Sequence, residues 1–199
     1  AGVDPATAFA DWDSFKATLE KLKGDKDIAP FGAPGKKAFD LVHNVAPFIW
    51  AAGGSELNED NTKSTINSPE PATGVKIYAD LIPAGVFDTS MLEKDGQGVE
   101  DSFKGGQLAV WVGGPWVLAS VPRKDDKTWD DTARENIGVA PLPKGPSGKA
   151  YTFVGGSNLM MFKNAKNKDA AWAVIKYLSE DQTQKDYADI LGMFPAKLA

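Results

Sequence analysis

The stretch Gln107 to Ser120, QLAVWVGGPWVLAS, places a tryptophan where it could hold a ligand. Leu108 to Val112 is an apolar run of strand length, stopped by Gly113, Gly114 and Pro115, with Trp116 next. Glycines at the carboxyl end of a strand let backbone turn tightly and approach a ligand, and proline suits the first turn of a following helix. Trp116 is therefore expected on a stiff corner at the carboxyl edge of a sheet, where open α/β folds bind ligands. An indole there suits a flat, partly apolar partner such as a sugar ring; the alternative is a core tryptophan beside a chain reversal. Two more glycine pairs, Gly53-Gly54 and Gly155-Gly156, recur along the chain, and Trp50 stands near the first. Together these corners suggest a binding rim with no nucleophile in it, or else plain loops with both tryptophans buried.

Other chemistry lacks its residues. The chain has no cysteine and one histidine, His43, so thiolate catalysis, disulfides and ordinary zinc sites fall away. No serine sits in a Gly-x-Ser-x-Gly frame, no Gly-x-Gly-x-x-Gly follows a strand, and Gly145 to Ala150 only resembles a phosphate loop. Asn58 to Asn61 offers oxygens without the spacing of a calcium loop. A carboxylate-pair glycosidase stays open as a rival, although no acid adjoins Trp50 or Trp116 in sequence. The net charge of −5 and the lack of a basic cluster argue against nucleic-acid binding. No cofactor is expected. The first residues show neither the charged nor the apolar region of a signal peptide, so an export signal would lie outside this chain.

The elements that must carry these corners alternate. Helices are expected over Asp11 to Lys23, Phe39 to Ala51 (kinked or divided by Pro47), a segment starting at Ser68-Pro69, Val99 to Lys104, Asn167 to Leu178, and a last one entered through Ser179-x-x-Gln182 and closed by Gly192. Strands are expected at Ile28 to Phe31, Gln107 to Val112, Ile137 to Ala140 and Tyr151 to Val154, with Asn158 to Phe162 a strand or an extended crossing. Arg123 to Glu135 reads as charged, irregular and exposed. The mingling of the two types makes this an α/β layered domain, a mixed sheet flanked by helices.

The order of motifs resembles the carboxyl-terminal lobe of the extracellular sugar-binding proteins of ABC transporters, the maltose-binding-protein-like family. Residues carrying the likeness are ADWDSF within Thr7 to Leu22, PFIWAAGGSEL at Pro47 to Leu57, NSPEPATGVKIYADLIPAGV at Asn67 to Val86, Asp101 to Trp116 (Val110 standing where methionine is usual), Ile137 to Phe162, and Asn167 to Ala196. The resemblance implies a type II periplasmic-binding-protein lobe and non-catalytic binding of a mono- or oligosaccharide for an importer. A different solute on the same fold, or an interaction module without small ligand, are the other readings. It implies that Trp116 stacks on sugar, that Trp50 lies beside the cleft, that His43 and Asn44 touch ligand, and that sugar approaches backbone at Gly155 and Gly156. It also implies an extracytoplasmic location and a membrane permease as partner. Residues 1–157 would form the second lobe, and 158–199 would pack on a first lobe that this chain lacks. The Trp172 helix would then have an unpartnered apolar face and favour self-association.

Overall fold

Capping and apolar spacing place the first helix where the sequence puts it. In the computed structural model, which describes residues 3–4, 6–24, 27–35 and 38–196, α1 runs from Trp12 to Leu22. Asp11 caps it: its Oδ1 accepts from the Ser14 backbone N–H and from the Ser14 hydroxyl, both at 2.8 Å. Those bonds hold the Asp11 carboxyl below the usual carboxylate range. Phe15 and Leu19 of α1 enter the core, with Trp12 and Leu22 packed against its border.

β1 (Ala29–Phe31) and β2 (Leu108–Val110) pair in parallel, Ala29 opposite Leu108 and Phe31 opposite Val110. Parallel pairing requires a long crossover. Here it comprises α2 (Ala38–Ala51), α3 (Pro69–Asp80), a 3-10 turn (Thr89–Glu93) and α4 (Gly96–Lys104). Phe31 sits at the centre, its ring edge-to-face with Phe15, Tyr78 and Phe87 at 5.7 Å each. It is fully buried, as are Leu19 and Leu81. Burial also pushes the Tyr78 phenol up, and its hydroxyl finds no hydrogen-bond partner. A second cluster, Met91, Val99 and Leu108, lies under β2.

Two helices of this core approach closely. A Cβ at Gly74 of α3 would stand 2.5 Å from the Ile49 Cα and 2.6 Å from the Phe48 carbonyl oxygen of α2. Only glycine admits so close an approach of two backbones.

Several expectations give way. Of the kink or division expected at Pro47, division does not occur: α2 is continuous from Ala38 to Ala51, and proline removes one bond, the one to the His43 carbonyl. Burial of Phe48 among Trp12, Phe15 and Tyr78, and of Ile49 beside Gly74 of α3, offsets that loss. Ser68 and Ser179 do not cap with their side chains: their hydroxyls donate to the carbonyls of Thr65 and Ile175, each at 2.8 Å. α4 begins three residues earlier than expected, at Gly96, because Asp95 caps it through the Gly98 N–H. The segment Arg123 to Glu135 is not all irregular. Asp130 caps a short α6 (Asp131–Glu135), and Trp129 is buried against the end of α4, 6.5 Å from the Phe103 ring and with the Lys104 ammonium 5.9 Å from its ring centre.

The strands expected at 137–140 and 151–154 do not form among the described residues, and 158–162, expected as a strand or an extended crossing, is not a strand. A strand is stable only when its N–H and C=O groups find a neighbouring ladder. Here these segments lie open, with Val139 77% and Val154 86% exposed.

The chain divides into two compact units, Ala1–Val112 with Thr128–Phe153, and Gly113–Lys127 with Val154–Ala199. The second holds α5 (Trp116–Ser120), α7 (Lys168–Leu178) and α8 (Asp181–Leu191). α7 has no buried residue, and Trp172, Met160, Phe162 and Phe194 stand mostly in solvent.

Candidate ligand-binding site

In the first unit, α2 presents Phe39, His43 and Trp50 at steps of four and seven residues, which places them on one helical face. The loop from Lys144 to Lys149 brings a second source of rings beside them. Its Lys144 backbone exchanges bonds with Ala10 and Trp12, and the Ser147 N–H donates to the Ala51 carbonyl at the end of α2. Gly145 is pressed so closely there that a Cβ would lie 2.4 Å from the Ala51 oxygen. The chain leaving this loop then carries Tyr151 and Phe153 along α2.

The outcome is a continuous row of rings. His43 is 4.7 Å from Phe39 and 4.3 Å from Phe153, centre to centre. Phe153 lies nearly parallel to Trp50, at 6.1 Å with 14° between planes, and Tyr151 meets Trp50 edge-on at 6.5 Å. Phe39, Tyr151 and Phe153 are exposed and His43 and Trp50 half-buried. Such a surface offers C–H-compatible faces beside polar edges. Trp50 also has a polar handle: its indole N–H donates to the Glu56 Oε2 at 3.1 Å. An acid is therefore next to Trp50 in space although none adjoins it in sequence.

Asn44 is not part of this row. It is buried, its amide nitrogen donates to the Asp40 carbonyl at 3.1 Å, and its Oδ1 has no hydrogen-bond partner. His43 and Trp50 are brought together through Phe153.

The remaining expected residues belong to the second unit. Trp116 opens α5 after Pro115, whose φ of −66° starts the helix. The indole folds back over Gly114: a Cβ there would lie 1.9 Å from the ring. Trp116 is nevertheless 42% exposed, while Val117 and Ser120 beside it are buried. Gly192, at φ +68°, ends α8 against this helix, its Cα so near that a Cβ would touch Ala119 at 2.6 Å. Gly155 and Gly156 are exposed, and a Cβ on Gly156 would meet no atom within 4 Å.

Sequence reasoning missed Phe39, Tyr151, Phe153 and Glu56. Tyr151 and Phe153 had a visible signal, two rings at a spacing of two that share one side of any extended chain. Glu56 had none, since its contact depends on the turn at Gly53-Gly54. Among the described residues no group of three or more histidines and carboxylates could hold a metal ion, and no helix is long and apolar enough to cross a membrane.

The model of the bacterial extracellular solute-binding protein family matches residues 1–185. The chain belongs to that family. Similar solute-binding proteins include a binding protein of Brucella abortus, 27% identical over 94% of this chain and 43% of its own length. Another is the maltooligosaccharide ABC transporter solute-binding lipoprotein of Streptococcus pneumoniae, 30% identical over 98% of this chain and 39% of its own. Among solved structures, maltose-bound T. maritima MalE3 superposes with a TM-score of 0.78 at 25% identity, covering 93% of this chain and 46% of that one. The chain thus spans less than half the length of these relatives. Its fold is that of a type II periplasmic-binding-protein lobe, rich in helix and with a small sheet.

Proposed function

We propose that this chain is the ligand-binding second lobe of a non-catalytic carbohydrate-binding protein, serving a membrane permease of an ABC importer from outside the cytoplasm. The observation that carries it is the row of rings on α2 and residues 151–153, with a carboxylate at the Trp50 edge. Aromatic faces would cover the apolar side of a mono- or oligosaccharide while polar edges meet its hydroxyls. Trp50 and His43 are the proposed contacts in the first unit, and Trp116, Gly155 and Gly156 those in the second. The burial of Asn44 favours a supporting role for it within α2. Relatives and neighbours named for maltooligosaccharide and maltose support the ligand class.

The test is calorimetry and thermal shift of the longer protein against maltose, D-tagatose and ribitol, with Trp50→Ala and Trp116→Ala compared. At a hundredfold excess over Kd a sugar should stabilise by about 2.7 kcal/mol. Each substitution should weaken binding roughly ten-fold or more. Hydrolysis of chromogenic glycosides by the same protein would overturn the non-catalytic reading.

Residues 158–199 are proposed to pack on the first lobe of the longer protein. In the isolated chain that leaves the α7 face of Trp172, Ile175 and Leu178, with Trp172 55% exposed and the other two half-buried, open to a second copy. Sedimentation velocity should show association that increases with concentration; a monomer at every concentration counts against it.

A further inference from the structure

The indole of Trp50 could in principle turn about its side-chain bonds, but one polar contact fixes its plane, and the backbone holds that contact in place. At the end of α2 the Gly53 N–H donates to the Trp50 carbonyl and the Gly54 N–H to that of Ile49, a reversal of the chain by hydrogen bonds. Gly54 lies against α3, where a Cβ would be 2.6 Å from the Pro71 nitrogen. Two residues on, the Glu56 carbonyl accepts from the Thr65 N–H at 2.9 Å and from the Ser64 hydroxyl at 3.3 Å. The Thr65 hydroxyl in turn donates to the Ser55 carbonyl at 2.6 Å. The Glu56 backbone is thus tied on both sides, and its carboxylate reaches back to the Trp50 indole N–H.

We infer that Glu56 is a positioning residue for Trp50: its carboxylate, anchored by the turn of residues 53–65, sets the plane in which the indole meets ligand. Phe153 supports the ring by its face and Glu56 holds it by its edge, so the two constraints act on different degrees of freedom. A charge-assisted N–H···O bond is the stronger kind available to an indole, which has no other donor. The meaning for binding rests on the carbohydrate reading; the anchoring of the ring does not.

The experiment compares Glu56→Gln, Glu56→Asp and Glu56→Leu. Glutamine keeps an acceptor at the same reach, aspartate keeps the charge but falls one methylene short, and leucine keeps neither acceptor nor charge. In this chain, nitrogen-15-resolved spectra report each indole N–H, the Trp50 signal being assigned by its loss in Trp50→Phe. Glu56→Gln should leave that signal downfield and slow to exchange with water. Glu56→Asp and Glu56→Leu should move it upfield and speed its exchange. An unmoved signal in Glu56→Asp overturns the inference, as does an equal displacement in Glu56→Gln. Glu56→Asp decides the matter if Glu56→Leu does not fold. In the longer protein, with maltose as probe, Glu56→Asp should bind roughly ten-fold more weakly and Glu56→Gln within about three-fold. Unchanged maltose affinity in Glu56→Asp overturns the positioning role. Displaced indole signals with no maltose response in any variant, the unsubstituted protein included, support the anchoring and count against the carbohydrate reading.

Discussion

Phe31→Ala is expected to destabilise the first unit by about 3–5 kcal/mol, the range for emptying a buried phenylalanine site. The ring is at 0% exposure and meets Phe15, Tyr78 and Phe87 edge-to-face, so three elements lose a shared partner at once. Relaxation into the gap is restricted, because Phe31 is also the strand residue paired with Val110 and bridged to Phe87. Against a total stability of ~5–15 kcal/mol the loss is severe. At roughly 2–4 °C per kcal/mol for a chain of this size, the melting point should fall by about 10 °C. Far-UV circular dichroism during heating measures it, and a fall of only one or two degrees would show that the cluster can close over the gap.

Gly114→Ala should act on binding instead. An added Cβ would stand 1.9 Å from the Trp116 ring, well inside van der Waals contact, so the indole must leave its place over the backbone. Because the ring is 42% exposed it can rotate outward without opening a core. The longer protein should therefore lose roughly ten-fold or more in sugar affinity with little change in melting temperature. Emission of Trp116 should also shift to the red as the ring enters water. Intact affinity in Gly114→Ala would remove Trp116 from the proposed contacts.

What was legible from sequence followed locality. α1, α3 and α7 are announced by apolar steps of three and four residues, and α8 by the Gly192 that closes it with left-handed backbone, although the Ser179 capping box expected at its start does not form. The strands at 29–31 and 108–110 were visible as two apolar runs but their pairing was not, and neither was the open state of the segments at 137–140 and 151–154. Their residues favour strand, but strand formation is decided by a partner ladder, and local composition says nothing of one. Trp129 likewise lies in a charged stretch whose local character hides its burial against Phe103 and Lys104 of α4. At the candidate site, Trp50 and Trp116 were conspicuous because glycine pairs flank them. Phe153 and Glu56 touch Trp50 only through a loop and a turn, and Asn44 faces inward because the helix phase set by Phe48 turns it toward the core.

The close approach of α2 and α3 at Gly74 bears on how this scaffold could be retargeted. With Ile49 and Phe48 backbone against that glycine, any side chain there would push α2, and with it His43 and Trp50, away from α3. The facing residues 150–153 carry no backbone hydrogen bond among the described residues. A mutant library meant to change what the row of rings accepts should therefore spare α2 and spread its diversity over Tyr151 to Phe153, where length and side-chain size can vary without unsettling the helices.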